Sequence, residues 1–533
     1  MVYLPELCLE QIFRELEDDV KTLHSCILVN RLWFTMAVSE LWKNPFDTIR
    51  SGGQKNQKHH RSLIEVYISC LPKHIRDNIY SGTTKSPIFN YMKYLRYIDI
   101  APICKSVNKW ILSKKIEELP LFKYLHVTCD NSITRDYERT IVETLCDYFI
   151  SCSIHIDEID LSCRPFNIFN HPFANPNLSK IKTFKCNVTY LPDLMEVGIF
   201  KSASKIANDI HYLEIRFICS HHNYLSDDLN SPVKDVTEFI ESQKNLQHII
   251  LQCTSIEFPI ILVSLCTHTK TLTHIELYRI NFGCGFPLYY LAKLENLKHF
   301  KLESCSFTGL SNKNVGQTSF QKLESLTIKT TTIQSDILET LIRQANNSIR
   351  ILEIRNFRVL RELIYSCRNY CILLTRLILS INQGTLLSII SMITTCSNLK
   401  EIQIYDETLK DGGFYIPLDI NYKHTADEFI CKLGTALPES VHTIRLVMDW
   451  FYKSSSLDIF FKQCNAKRLQ RLEFSNCSFF SSKHLEIVVR HCGGTLKHLY
   501  FNSYHRMCRD DVKKVREIIP NLVIGNNEFN RAC

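Results

Sequence analysis

The sequence predicts a small helical domain followed by an α/β solenoid, in which short parallel strands and outer helices repeat along the chain. Three observations support this fold class: an apolar pattern recurs at nearly constant spacing, helical periodicity lies between its copies, and the first residues indicate three helices. At 533 residues the chain is also too long for one ordinary core, because such cores stop growing near roughly 250 to 300 residues.

The recurring pattern is L-x-x-L-x-L, with Ile, Val or Phe accepted at the apolar positions. From Leu246 to Leu399, successive copies begin 26, 25, 26, 26, 25 and 25 residues apart. Eight further copies bring the candidate units to fifteen, and they begin at Leu95, Phe122, Ile156, Ile181, Ile210, Val441, Leu469 and Leu496. Isolated strands do not recur so regularly, so the pattern indicates a repeat. We interpret the longer intervals before Ile156, Leu246 and Val441 as loop insertions.

Each unit is predicted to be a strand, a turn and a helix. The first, fourth and sixth positions of the pattern point into the solenoid, and the third, fifth and seventh lie on the opposite face of the strand. Between strands, residues 335 to 344 carry apolar side chains at helical spacing, with Ser335 as the predicted N-cap. Stacking such units gives a curved parallel sheet with helices outside.

Two units place a cysteine eight positions after the first leucine, Cys305 and Cys477. The pattern therefore resembles the cysteine-containing class of leucine-rich repeat, which implies a horseshoe-shaped leucine-rich-repeat solenoid. Since the ends of a solenoid need covers, we expect the tail to supply one with a last helix, Val512 to Ile519, and a partial strand, Leu522 to Ile524.

The first forty-six residues indicate a bundle of three helices. Pro5 fits the first turn of a helix, an apolar stripe runs from Leu9 to Leu16, and the acidic run 17 to 19 breaks it and can cap the next helix. Apolar residues continue at helical spacing as far as Leu41. Because surface dominates volume in so small a unit, we expect it to need a partner.

Residues 4 to 42 resemble the F-box. The resemblance is carried by Leu4-Pro5-Glu6-Leu7, Ile12-Phe13, Leu16, Val20, Leu23, Cys26 to Asn30, Arg31, Trp33 and Leu41-Trp42. In that family the unit docks onto a Skp-type adaptor, which binds a cullin, and the resemblance implies both partners here. The resemblance also implies which matched residues lie at or just beneath the surface that binds the adaptor. They are Leu4, Pro5, Leu7, Ile12, Leu16, Leu23, Val29 and Trp33. The alternative is a private helical core without a partner.

The predicted domains are an F-box at 1–46, a basic linker and helical cover at 47–90, the repeats at 91–505 and a C-terminal cap at 506–533. Within the second segment, Ser51 to Arg61 is polar and basic and fits a connector, whereas Ser62 to Tyr80 is helix-like and can cover the first repeat.

The two resemblances together imply a substrate-recognition subunit of an SCF-type E3 ubiquitin ligase, in which the repeats hold a protein for ubiquitination and degradation. The alternative is a leucine-rich-repeat scaffold that binds proteins without a ligase role. Capture of a Skp-type adaptor by residues 1 to 46 would distinguish the two.

We expect no enzymatic activity and no cofactor. The chain has only 15 glycines and neither GxxxxGK[ST] nor GxGxxG, although phosphate-binding loops need glycine for close backbone approach. Its 23 cysteines include no CxxC. Cys367 and Cys371 have no second pair of ligands nearby in the sequence to complete a zinc site, and Cys219, His221 and His222 are an equally weak indication of one. We therefore expect buried thiols and no metal site.

The sequence indicates an intracellular protein, cytoplasmic or nuclear, with reduced thiols. Its amino terminus does not read as a secretion signal, and its longest apolar run, Phe258 to Cys266, is too short to span a bilayer. The net charge of +8 suggests nucleic acid as an alternative partner. We expect no nucleic acid, because acids and bases are mixed at the outward strand positions, and no membrane contact.

A substrate surface is predicted where outward positions of consecutive strands align. His274, Glu276 and Tyr278 should lie beside His299, Lys301 and Glu303 and form an exposed surface of mixed charge that suits a protein ligand. His248 occupies the same repeat position as His274 and His299, which predicts a stacked ladder and not catalysis. The alternatives are the inserted loops before Leu246 or Val441, the latter including Asp406 to Tyr415, and the carboxy-terminal tail.

Overall fold

The computed structural model describes residues 5–47, 57–82, 87, 89–120, 131–164, 166–189, 198–218, 230–252, 258–282, 288–307, 319–355, 361–406, 423–448, 451–475, 480–502, 509–519 and 521–525. These residues belong to two compact units, Met1–Leu251 and Gln252–Cys533. Nothing in the repeat pattern indicated this division.

Three short helices open the first unit, as the sequence predicted: α1 (Glu6–Glu15), α2 (Val20–Cys26) and α3 (Arg31–Lys43). The carboxylate of Asp19 accepts a hydrogen bond from the Thr22 backbone at 3.0 Å and caps α2. Asn30 caps α3 in the same way. These caps satisfy amide groups that the first turn of a helix leaves without partners, so the polar residues fix where each helix begins.

Two helices follow the bundle, α4 (Gln57–Cys70) and α5 (Lys73–Ile79). Residues 51 to 56 of the predicted connector lie outside the described residues, but Gln57 to Arg61 is helical. The start of α4 was therefore predicted too late. Residues 57 to 61 contain neither glycine nor proline, and His60 is buried with its Nδ1 atom 2.9 Å from the Ser106 hydroxyl, so the basic composition does not indicate a solvated loop here.

Parallel strands in chain order continue the first unit. They are β1 (Tyr97–Asp99), β2 (Glu158–Leu161), β3 (Thr183–Thr189), β4 (Tyr212–Ile218) and β5 (His248–Gln252). The helices between them are α6 (Ile100–Ile111), α7 (Asn131–Cys152), α8 (Ala174–Leu178), α9 (Ile199–Ile206) and α10 (Asn230–Glu241).

The second unit repeats the same arrangement of parallel strands in chain order. Its strands are β6 (His274–Tyr278), β7 (His299–Glu303), β8 (Ser325–Lys329), β9 (Ile351–Arg355), β10 (Arg376–Ile381), β11 (Glu401–Asp406), β12 (Thr443–Val447), β13 (Arg471–Ser475), β14 (His498–Asn502) and β15 (Asn521–Gly525). Its helices are α11 (Phe258–Leu265), α12 (Leu288–Leu291), α13 (Ser335–Ala345), α14 (Arg361–Tyr370), α15 (Leu386–Ile393), α16 (Lys423–Ala436), α17 (Ser454–Gln463), α18 (Ser482–Cys492) and α19 (Arg509–Ile518).

The fold class of repeated parallel strands with helices between them is confirmed. Leu272, Ile275 and Leu277, at the first, fourth and sixth positions of their unit, are all fully buried. The predicted last helix and partial strand correspond to α19 and β15, which pairs with β14. The copy at Phe122 lies outside the described residues, and β1 pairs directly with β2. Ser335 is the first residue of α13, so Gln334 occupies the capping position assigned to Ser335.

The cysteine of the repeat pattern is also placed as expected at one of its two positions. Cys305 is buried, and its thiol lies 3.4 Å from the Leu277 carbonyl oxygen of the preceding unit. Cys477 lies outside the described residues. A small buried side chain at this position lets neighbouring units approach closely.

Candidate protein-binding surfaces

The three-helix bundle exposes an unusual number of large apolar side chains for so short a segment. They are Leu7, Ile12, Val20, Leu28 and Val29, which we call the exposed apolar set. Leu7 is 78% and Leu28 77% exposed. Exposed apolar side chains at this density make the bundle a candidate surface for contact with another molecule.

The candidate adaptor residues divide into two groups. Pro5, Leu7, Ile12 and Val29 are exposed, and Leu4 lies outside the described residues. Leu23 is buried in the bundle core with Leu9, Phe13, Cys26 and Ala37, and Leu16 and Trp33 pack against that core. The Trp33 ring meets the Phe13 ring edge to face at 5.4 Å between centroids. Leu16, Leu23 and Trp33 therefore help to form the bundle core, whereas Pro5, Leu7, Ile12 and Val29 lie on its surface.

Val20 and Leu28 belong to the exposed apolar set but were not among the candidate site residues. Leu28 lies in the turn between α2 and α3, after the half-buried Ile27 and before Val29. A turn cannot direct three consecutive side chains into one small core. The run Ile27-Leu28-Val29 was thus a signal in the sequence for exposed apolar residues at this turn.

The bundle is fixed to the cover of the repeats by contacts around the end of α3. The carbonyl oxygen of Lys43 accepts a hydrogen bond from the Arg96 amide at 2.9 Å, while the Lys43 ammonium group pairs within the bundle with Glu17 at 2.5 Å and Glu40 at 2.6 Å. The Trp42 ring stacks on the Tyr91 ring at 4.2 Å between centroids. The backbone hydrogen bond and the ring stack join the last bundle helix to the residues that lead into β1.

A groove of about 1030 Å³ lies between the bundle and α4. Its apolar lining includes Val20, Leu23, Ile27, Phe34, Leu63 and Val66. Because Val20 also belongs to the exposed apolar set, the groove continues that apolar surface toward the cover of the repeats.

In the second unit, the six candidate substrate residues are brought together as predicted. Strand β6 pairs with β7 so that His274 lies beside His299, Glu276 beside Lys301 and Tyr278 beside Glu303. The two histidine rings are stacked at 4.0 Å between centroids, at an angle of 10°. The expected ladder is therefore present at this pair of strands.

Lys301 is the centre of a network of polar contacts across the two strands. Its ammonium group lies 3.5 Å from Glu276 and 3.1 Å from Glu303 and donates a hydrogen bond to the Tyr278 hydroxyl at 2.5 Å. Tyr278 in turn donates to Glu276 at 2.6 Å. Burial lowers the pKa of Lys301, but the contacts with Tyr278 and Glu303 outweigh it and raise that pKa above the usual lysine range.

The prediction that these side chains are exposed needs correction. The Lys301 side chain is only 25% exposed, and the other five residues are also half-buried. The reason is that neighbouring strands lie only about 4.8 Å apart, so that side chains at paired positions cover one another. A ligand would therefore meet a surface of preformed charge pairs and not separate charges.

Outward positions further along the second unit are more deeply buried. Glu353 on β9, Ile378 on β10 and Gln403 on β11 are all buried. Of the alternative sites, Asp406 is buried and residues 407 to 415 lie outside the described residues. The outward face is thus less accessible at β9 to β11 than at β6 and β7.

No group of three or more histidine, cysteine or carboxylate side chains that could hold a metal ion occurs among the described residues. Cys367 and Cys371 are buried, while Cys219, His221 and His222 lie outside those residues. In the same described part of the chain, no helix is both long and apolar enough to cross a membrane.

Comparison with known proteins gives little additional information. No family model matches the sequence, and no curated protein matches it. One similar solved structure is the crystal structure of the Rad7 and Elc1 complex in yeast, with 16% identity and a TM-score of 0.34. The match covers 57% of this chain and 86% of that chain. A similarity this low carries no argument about function.

Proposed function

We propose that this chain is the substrate-recognition subunit of an SCF-type E3 ubiquitin ligase, acting in the cytoplasm or nucleus. Its amino-terminal bundle would dock a Skp-type adaptor and, through it, a cullin. The repeats would hold the protein to be ubiquitinated. The observation that carries the proposal is the exposed apolar set on a bundle whose sequence resembles the F-box.

The exposed apolar set favours a partner for a physical reason. Several large apolar side chains of the bundle lie in water, and removing apolar surface from water is the main favourable contribution to protein association. Covering Leu7 and Val29 would recover about 1.5 to 3 kcal/mol for each side chain that is fully buried. The resemblance supplies the identity of the partner, a Skp-type adaptor.

The substrate surface that we propose is the network around Lys301 on β6 and β7. Its charges are already paired, so a ligand does not have to neutralise an isolated buried charge. Mixed charge with an aromatic side chain is typical of surfaces that select a protein by electrostatic complementarity. Ligase activity would come from raising the effective concentration of a substrate lysine near the charged ubiquitin-loading enzyme, and the chain itself would catalyse no reaction.

The decisive experiment is recovery of a Skp-type adaptor with the full-length chain. Replacing Leu7 and Val29 by aspartate places two charges in the proposed interface and should lower adaptor recovery at least tenfold, since central interface side chains contribute about 2 kcal/mol or more. Both side chains are exposed, so the bundle should stay folded.

Leu112→Asp is the matched control, because Leu112 is 72% exposed and follows α6, outside the bundle. It should leave adaptor recovery unchanged. If the Leu7 and Val29 double variant retains full adaptor recovery, the adaptor surface is wrong and a protein-binding scaffold without a ligase role becomes the better interpretation.

A further inference from the structure

The groove between the bundle and α4 is lined by apolar and acidic side chains together. Its half-buried apolar side chains include Phe34 on α3 and Val66 on α4. Four carboxylates line the same groove, those of Glu17, Asp18, Glu40 and Asp47. The groove therefore offers a ligand both apolar contact and negative charge.

The negative charge of the groove exceeds its positive charge. Among the lining residues that the structure describes, Lys43 is the only lysine or arginine. Its ammonium group is already held by Glu17 at 2.5 Å and Glu40 at 2.6 Å, whereas Asp18 and Asp47 are exposed to solvent. Electrostatic complementarity therefore favours a positively charged partner.

Aromatic side chains are a second feature of the groove that suits cations. Four half-buried rings line it, those of Phe34, Trp42, Tyr91 and Tyr97. Phe34 contacts the Phe89 ring at 4.8 Å between centroids, and Trp42 stacks on Tyr91 at 4.2 Å, so these rings are held in place by their neighbours. The face of an aromatic ring attracts an ammonium or guanidinium group placed above it. Lysine and arginine side chains can thus interact with the rings as well as with the carboxylates.

The size of the groove fits a segment of helix. A helix with its side chains is about 10 Å across and rises 1.5 Å per residue, so roughly nine residues fill a cylinder close to the 1030 Å³ of the groove. An amphipathic helix presents apolar side chains on one face and charged side chains beside them. Such a helix can bury its apolar face in a groove of a partner protein.

We propose that this groove binds a basic amphipathic helix of a partner protein. Apolar side chains of the helix would pack against Ile27, Phe34 and Val66, and its lysine or arginine side chains would lie beside Asp18 and Asp47. This site is additional to the proposed adaptor and substrate surfaces, and its test requires neither an adaptor nor a substrate.

Fluorescence anisotropy with the full-length chain measures the binding of model helices. The probe is a labelled peptide of about 14 residues, leucine and lysine, with leucine at helical spacing on one face. A second peptide has glutamate in place of every lysine, and a third has the composition of the first in an order that forms no apolar face. The titration is run at pH 8, because His24 and His59 also line the groove and histidine is ordinarily neutral at this pH.

The peptide of leucine and lysine should bind at least tenfold more tightly than either of the others. The glutamate peptide lacks the charge that the groove favours, and the reordered peptide lacks the apolar face. Equal affinity for the three peptides, or tighter binding of the glutamate peptide, would overturn the proposal.

Charge reversal in the chain tests whether the peptide binds in the groove. The double variant Asp18→Lys and Asp47→Lys should weaken binding of the lysine peptide at least tenfold, because repulsion replaces attraction at two exposed positions. The matched control is Asp136→Lys with Glu241→Lys, which changes the net charge equally at exposed positions of α7 and α10. It should keep the native affinity. Equal loss of affinity in both double variants would show attraction to overall charge alone and would contradict binding in the groove.

Sedimentation of the chain without peptide distinguishes a second copy from a separate partner. We expect a monomer, whose affinity for the lysine peptide falls as salt is added, since salt screens exposed charges. If the chain instead forms a dimer that the Asp18 and Asp47 double variant dissociates, a second copy occupies the groove and the proposal is wrong.

Discussion

At the scale of a single residue, the hydrogen bonds around His60 determine that its Nδ1 atom carries a proton. The Ser106 hydroxyl donates its one proton to the Pro102 carbonyl oxygen at 2.7 Å. The contact of 2.9 Å between Ser106 Oγ and His60 Nδ1 therefore requires that Nδ1 donates. Burial first, and then the charges of Lys109, Lys105 and His59, lower the pKa of His60 to about 4.

This shift predicts an acid-sensitive contribution to stability. Well above about pH 6.5 His60 is neutral in both the folded and the unfolded chain. As the pH falls from 6.5 toward 4, the unfolded chain binds a proton that the folded chain does not, so stability is lost. In His60→Asn, whose amide can replace the Nδ1 donor, we expect a smaller fall of Tm between pH 6.5 and 5.

Thermal melts at closely spaced pH values check the effect. His484 is also buried with a lowered pKa, so some slope should remain in His60→Asn and decrease further in a double variant with His484→Asn. Identical slopes in the native chain and His60→Asn would show that His60 is not the group responsible.

At the scale of the elements, helices α16 and α17 pack closely enough to require a glycine. A Cβ atom added at Gly434 would lie 2.5 Å from the Phe460 carbonyl oxygen, a backbone atom that cannot rotate away. Gly434→Ala should therefore lower Tm by several degrees, although alanine favours a helix interior over glycine by about 1 kcal/mol. Calorimetry measures the change.

Gly494→Ala is the matched control, because nothing lies within 4 Å of a Cβ atom at that position. It should leave Tm within about one degree of the native value, as expected for a substitution that makes no new contact. A native-like Tm for Gly434→Ala would mean that α16 and α17 can separate at little cost.

The pairing of β6 with β7 predicts how the substrate surface responds to charge exchange. In the combined variant Glu276→Lys, Lys301→Glu and Glu303→Lys, opposite charges still alternate, so the chain should remain stable. The charge pattern offered to a ligand is reversed, and substrate capture should fall strongly. A pull-down of the substrate from cells with ligase turnover blocked measures the capture.

Two controls accompany the charge exchange. Lys301→Glu alone places three carboxylates together and should lower Tm. Exchanging Arg445 and Glu473, an outward pair on β12 and β13 joined at 2.6 Å, should preserve capture. If the exchange on β12 and β13 abolishes capture and that on β6 and β7 does not, the substrate surface lies elsewhere on the repeats.

The strands could be predicted from the sequence far better than the helix ends. Burial of Leu272, Ile275 and Leu277 follows from alternation alone, and so does the register that places Glu276 beside Lys301. The start of α4 depends on a contact between His60 and Ser106, 46 residues away, which no local pattern contains. Likewise, the exposure of Lys301 depends on partners from two strands, and charge pattern alone does not indicate it.

At the scale of the whole molecule, the proposed function requires both surfaces on one chain. If the chain acts by tethering, a variant that lacks adaptor binding and a variant that lacks substrate capture cannot rescue each other. We therefore expect an equimolar mixture of the Leu7 and Val29 double variant with the three-charge variant to show no substrate ubiquitination in a reconstituted assay.

The native chain at half the total concentration is the control for this mixture, because it should retain about half the activity at limiting receptor. Recovery of activity in the mixture would indicate that the receptor works through association of two copies, since only an assembly could then bring the two intact surfaces together.

The contacts around Lys43 and Trp42 also limit how far the bundle can rotate relative to β1. At the last two positions of α3, the Trp42 ring contacts the rings of Tyr91 and Tyr67, and the Lys43 carbonyl oxygen accepts a hydrogen bond from the Arg96 amide. Such a joint resists bending about every axis, so the bundle and β1 should tumble as one particle on the nanosecond timescale. An adaptor bound to the bundle would then hold β1 in a fixed orientation, with little angular freedom at this joint.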